Sequence, residues 1–186
     1  MPRIAPLEID AAPADAKAAA DAHVRNHARM TNMKRTLLHS LPAFEALMQW
    51  YPLRDVVQPI LGERLTTLFA HAISAETDCL ICSTFFRRML IQTGENPERL
   101  RLDEREAAVL DFGRALAVSP FKVPDPVYGQ LASFFSAPQI VALTAFGALM
   151  VATNVVNNVL DVDLDEYLQP YRKGLRESAA TTGQRS

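Results

Sequence analysis

Cysteine is scarce: the 186-residue chain has two. A secreted disulfide scaffold needs more bridges, and a four-cysteine zinc site needs more thiols. His71 offers one further ligand, but no histidine pair with zinc-site spacing follows the cysteines, so no metal or cofactor is expected. An excess of either charge is also missing. Nineteen basic and 21 acidic residues give a formal charge of −2, which leaves no basic surface for nucleic acid. Seven glycines and 12 prolines are too few for collagen-like or low-complexity architectures. The longest apolar run, Ile140 to Ala152, falls short of the roughly 20 residues of a membrane span and reads as a buried helix. Met1 to Ala20 lacks the apolar stretch of a signal peptide, so the expectation is a soluble, cytoplasmic protein with no membrane partner. A chain 49% hydrophobic and 22% charged is not disordered, and its length fits one domain.

What is present is helical periodicity, with no convincing alternating strand. Residues 1–30 read as a partly helical N-terminal extension, 31–172 as one helical domain, and 173–186 as a polar tail. Ser40 and Pro42 suit the start of a helix that reaches Trp50, where Tyr51-Pro52 predicts a break and Leu53 to Leu61 a short further piece. Glu63 to Ala75 forms the next helix, and Thr77 or Asp78 caps another that stops near Thr93-Gly94. Asp103 to Glu106 resembles a capping box opening a helix to about Val118. Asp125-Pro126 and Ser136-Ala-Pro-Gln139 are further starts, the second for a long helix to about Leu160 that is apolar on every face between Ile140 and Ala152, and so is either the central helix of the bundle or one shared with another subunit. Leu164 to Tyr171 predicts a last short helix. The expectation is an all-α bundle of seven or eight helices.

Cys79-Leu-Ile-Cys82 is the feature that carries chemistry. Two thiols three residues apart at a helix start share nearly one face, close enough for a disulfide. Unpaired N–H groups and the helix dipole there favour thiolate over thiol. Such a pair performs dithiol–disulfide exchange, or reduces a peroxide through a sulfenic acid. The competing reading is two small apolar residues of a core helix.

The stretch from Leu65 to Arg88, with a helix ending just before a Cys-x-x-Cys that opens the next, resembles the carboxymuconolactone decarboxylase and alkylhydroperoxidase D-like (AhpD-like) superfamily. The downstream order agrees over residues 37–168: Leu102-Asp-Glu-Arg-Glu-Ala-Ala-Val-Leu110, a Pro-rich loop, a short helix, Phe135-Ser-Ala-Pro-Gln139, then an Asn-containing helix through Val155-Val-Asn-Asn-Val-Leu160. The resemblance implies an AhpD-like multi-helix bundle that assembles as a homo-oligomer, a trimer or hexamer. It implies Cys82 as the peroxidatic thiol and Cys79 as its resolving partner, acting on an organic peroxide or disulfide, with a dithiol such as dihydrolipoamide as reductant. Three positions where the superfamily commonly carries a proton relay of Glu, His and His hold Thr67, Ile81 and Phe86.

His71, one turn after Thr67 on the same helical face as Glu63, is the candidate replacement base; its alternative is a structural role. Phe69, Phe85, Phe86 and Trp50 read as core or as an apolar wall around the substrate. Asn154, Asn157 and Asn158 are unusual in so apolar a helix and are expected to meet buried partners or an interface. Two other functions compete with thiol peroxidase activity. One is a non-redox lyase of the decarboxylase branch, for which only Arg64, Arg87 and Arg88 offer cationic anchors. The other is a non-catalytic helical oligomer.

Overall fold

Among the described residues, the apolar stripes of the helices meet in one large core and one smaller cluster. The computed structural model describes residues 1–27, 29–119 and 121–173. Among these are nine α-helices and no strand: α1 Ala14–His27, α2 Asn32–Leu37, α3 Leu41–Met48, α4 Trp50–Leu61, α5 Glu63–Glu76, α6 Leu80–Gln92, α7 Glu104–Ala117, α8 Asp125–Ala132 and α9 Ala137–Leu160. Two 3-10 turns, Ile9–Ala11 and Glu166–Tyr171, flank them. The expected polar tail lies outside the described residues beyond Lys173.

Helix α5 is the axis. Leu68, Phe69 and Ile73 are fully buried on it, and Phe69 stacks between Phe112 of α7 and Phe146 of α9. A Cβ at Gly113 would stand 2.8 Å from the Phe69 ring, and one at Gly147 would stand 2.6 Å from the Leu116 side chain, so Gly113 permits the close approach of α7 to α5 and Gly147 that of α9 to α7. A second, smaller cluster joins Ala16 and Ala20 of α1 to Leu37, Leu38 and Phe44. Burial of this apolar surface is the main stabilising term.

The capping boxes at Asp103/Glu106 and Ser136/Gln139 form as the sequence indicates. Four expectations need correction. Tyr51-Pro52 does not break a helix. The chain divides at Gln49 instead, which leaves Pro52 in the first turn of α4, where its missing N–H costs no hydrogen bond. Helix α2 is an addition: six residues show too little periodicity, and outside contacts help hold it. The Asn32 backbone N–H donates to Asp165 Oδ1 at 2.9 Å and Asn32 Nδ2 donates to the Asp163 carbonyl at 3.1 Å. Neither Thr77 nor Asp78 caps α6; Cys79 takes that position. Finally, α9 is not buried all round. Leu143, Phe146, Met150, Asn154 and Asn157 face the core, while Val141, Val155 and Val159 are 67%, 49% and 54% exposed. By length and composition α9 is apolar enough to cross a membrane, yet one full side of it is sealed in the bundle.

Candidate functional site

The α5–α6 corner sets the dithiol. Helix α5 ends in a Schellman motif: the Cys79 N–H donates to the Ser74 carbonyl at 3.0 Å and the Asp78 N–H to that of Ala75 at 3.2 Å. The left-handed residue this motif requires is Asp78, at φ 51°, a conformation that Asp tolerates better than bulkier residues. Cys79 therefore terminates one helix and begins the next. Its sulfur stands over the exposed N–H groups of the α6 start, although no backbone N–H closes a full capping bond to it.

Helix α9 clamps this corner with the three asparagines. Asn154 Nδ2 donates to Thr77 Oγ1 at 2.8 Å, and Asn158 Nδ2 donates to the Thr77 carbonyl at 2.9 Å. Asn157 Nδ2 points at both sulfurs, 3.3 Å from Cys82 Sγ and 3.8 Å from Cys79 Sγ. The expectation of buried partners for these residues holds for Asn154 and Asn157, which are 0% and 3% exposed.

Both cysteines are free thiols, and their environments differ. The hydrogen bond from Cys82 stabilises the Cys79 thiolate. Against the cost of burial it is joined by the Cys82 and Ile81 backbone N–H groups and Asn157, and together they bring Cys79 down to about 7. Cys82, which donates that bond, is held well above the ordinary thiol range by it, by burial and by the neighbouring charge. The two thiols are therefore unequal: Cys79 is the one that ionises first, and Cys82 keeps its proton. Cys79 is fully enclosed, whereas Cys82 keeps slight exposure and lines a cavity of about 100 Å³.

That cavity lies between α2, α3, α4, α6, α9 and the 166–171 turn. Its wall is mostly apolar: Trp50, Ile81, Phe85, Phe86 and Met150 line it together with Cys82. Ile81 and Phe86, at two of the relay positions, are therefore wall residues. Thr67 is buried on α5 and donates to the Glu63 carbonyl at 3.0 Å. His71 is not in the cavity lining, and neither sulfur receives a hydrogen bond from it. Burial, then the charges of Arg87, Lys173 and Arg114, lower it to about 4, so it is a neutral ring at pH 7. Among the arginines considered as anchors, Arg64 pairs with Glu95 and Glu106, Arg87 pairs with Glu98, and Arg88 lies over the Tyr167 ring; none lines the cavity.

The cavity also has a polar part that periodicity gave no reason to single out. Lys34 is 7% exposed, and its Nζ donates to the Arg29 carbonyl at 2.8 Å and Tyr51 Oη at 3.0 Å. Burial lowers its ammonium to about 8, against the attraction of Asp165 and with the repulsion of Arg29. Asp165 shares the lining; its Oδ2 is buried without a hydrogen-bond partner, and burial raises its carboxyl above the usual range. Asp165 and Tyr167 also line an open cleft of about 830 Å³ on the other side, so they stand between that cleft and the dithiol cavity. Among the described residues no His, Cys, Asp and Glu group has metal-site geometry.

No protein-family model and no curated protein matches the sequence. Solved structures do match. The debrominase Bmp8 superposes with a TM-score of 0.72 at 18% identity, over 90% of this chain and 95% of that one. A cysteine-to-alanine variant of Bmp8 in complex with 2,3,4-tribromopyrrole gives 0.73 at 17% identity, over 90% and 94%. The alkylhydroperoxidase AhpD core of a peroxidase-related protein from Ralstonia eutropha JMP134 gives 0.72 at 19% identity, over 90% and 94%. With helices in this order and a Cys-x-x-Cys at the corner between two of them, the chain has the all-α fold of the AhpD-like proteins.

Proposed function

We propose that this protein is a thiol-dependent peroxidase that reduces a compact organic hydroperoxide with Cys79 and Cys82. The observation that carries the reading is the placement of two free thiols under one amide donor, Asn157 Nδ2, with Cys79 at a helix start and Cys82 in the wall of an apolar cavity. The cycle starts when the Cys82 proton passes to the Cys79 thiolate along their hydrogen bond. Cys82 S⁻ then attacks the terminal oxygen of ROOH, the O–O bond breaks, and Cys82 sulfenic acid and RO⁻ form; RO⁻ takes up a proton to give ROH. The Cys79 thiol next attacks the sulfenic sulfur, forms the disulfide and releases water. The two sulfurs lose two electrons and the peroxide gains them. A small dithiol such as dihydrolipoamide returns the disulfide to two thiols by exchange. In this scheme Cys79 serves as the base for Cys82, and Asn157 supports whichever sulfur carries the charge.

The test uses single cysteine variants. Cys82→Ser abolishes peroxide consumption, while Cys79→Ser permits one turnover and leaves a sulfenic acid that dimedone traps. Undiminished consumption by Cys82→Ser overturns the proposal. A second reading, reductive removal of bromide from a small ring by the same dithiol, draws on the likeness to Bmp8 and on the cavity's size, somewhat below the roughly 150 Å³ that admits benzene in an apolar core. Bromide release from 2,3,4-tribromopyrrole in the presence of a dithiol separates the two. The protein is further proposed to act as a homo-oligomer, supported by the exposed apolar side of α9.

A further inference from the structure

A buried lysine that no carboxylate holds in a bonded ion pair is costly and rarely retained. Lys34 is such a residue. Its two hydrogen-bond acceptors are a backbone carbonyl and a phenol, and it makes no ion pair within bonding distance. An ammonium group has three N–H donors, so one remains for another acceptor. The same cavity holds Cys82 and the unpartnered Asp165 Oδ2. The cavity therefore offers, beside its nucleophile, one free cationic donor and one free anionic acceptor.

We propose that Lys34 is a catalytic residue of the dithiol reaction, holding the leaving oxygen of the hydroperoxide and giving it a proton as the O–O bond breaks. The inference rests on the peroxidase reading above and deepens it. As Cys82 S⁻ bonds to the terminal oxygen, negative charge develops on the R-bearing oxygen. Lys34 Nζ–H donates to that oxygen, and proton transfer leaves ROH and a neutral amine, which regains its proton from water. Asp165 Oδ2 accepts the O–H of the incoming ROOH, which turns the R-bearing oxygen toward Lys34. Burial has already moved the Lys34 ammonium to about 8, closer to neutral pH, so it is a better acid than an exposed lysine while still charged. A preorganised donor at a developing oxyanion contributes about 10²–10³-fold in rate. The substrate class follows: a compact alkyl or aryl hydroperoxide with a poor leaving group, in preference to a peracid, whose carboxylate leaves without help.

The experiment follows Cys82 oxidation in the full chain with tert-butyl hydroperoxide and with peracetic acid. Lys34→Met is expected to slow the alkyl hydroperoxide about 10²-fold and the peracid by less than about threefold. A merely structural lysine slows both by one common factor, and that outcome overturns the proposal, as does no change with either. Because Lys34→Met also removes buried hydrogen bonds, the wild-type protein supplies a control that needs no variant. Its peracid-to-alkyl rate ratio is expected to be about 10²-fold smaller than that of dithiothreitol in water, and equal ratios overturn the proposal. If wild-type thiols react with neither oxidant, the peroxidase reading fails and this one with it. Reaction of the wild type with the same peracid-to-alkyl ratio as dithiothreitol removes only the role of Lys34.

Discussion

Replacing Asn157 by Leu separates the chemistry of the dithiol from the stability of the helix that holds it. Asn157 Nδ2 lies 3.3 Å from Cys82 Sγ, 3.8 Å from Cys79 Sγ and 3.5 Å from Met33 Sδ. A hydrogen bond to a charged group contributes about 1.5–3 kcal/mol, and a donor shared among three sulfurs belongs at the lower end. One pKa unit corresponds to about 1.4 kcal/mol, so losing this donor should raise the Cys79 midpoint from about 7 by about one unit. The thiolate fraction at neutral pH then falls from about half to about a tenth, and alkylation by iodoacetamide slows in proportion. Stability should change far less, by about 1 kcal/mol or under, because Asn157 Oδ1 is buried without a partner and leucine removes that unsatisfied acceptor as well as the donor. Asn157→Asp should go further in the same direction, since a buried carboxylate opposes a neighbouring thiolate. The assay is a pH titration of thiolate ultraviolet absorbance, beside urea denaturation. A thiolate midpoint that stays in place while stability drops would make Asn157 a packing residue alone, with no hold on the dithiol.

Three shorter predictions come from other parts of the molecule. His71→Gln should leave dithiol oxidation rates unchanged between about pH 6 and 9, because the ring is outside the cavity lining and makes no hydrogen bond to either sulfur; a rate loss that disappears at high pH would restore it as the base. His23 and His71 are both lowered to about 4, so the unfolded chain binds protons that the folded one refuses: the stability they contribute is complete above about pH 6.5 and drains away toward pH 4. His23→Leu should flatten that limb in a urea series, and an unchanged slope contradicts it. Ala148→Glu, on the exposed side of α9, should reduce the mass measured by light scattering to that of a monomer, while a monomeric wild type removes the proposed assembly.

The sequence was most legible where local chemistry decides structure. Asp103 and Glu106, Ser136 and Gln139, and Gly94 mark helix ends through their own hydrogen bonds or backbone freedom, so those boundaries lie within a residue or two of expectation. Cys79 and Cys82 stood out by their spacing, and the order of helices around them carried the AhpD-like resemblance. Tyr51-Pro52 misled because proline breaks a helix interior but suits a first turn, and the register of α4 depends on packing distant in sequence. His71 shares a helical face with Thr67, but a helix also rotates about its axis, and which groups face a residue is set by the neighbouring helices. Lys34 and Asp165 lie far apart in the chain and come together only because α2 is tied to the 163–165 segment through Asn32. A lone lysine in a short polar helix gives no periodic signal of burial. Its role becomes visible only once the cavity around it exists.

In the proposed reaction Cys79 and Cys82 act as one two-electron reductant toward an organic hydroperoxide. This is tested most directly by counting free thiols in the reduced protein as tert-butyl hydroperoxide is added in small portions. The account predicts that one equivalent removes both thiols, that intact mass falls by two hydrogens without an intermolecular bridge, and that dihydrolipoamide restores both. Two thiols still titratable after a modest excess of peroxide would contradict it.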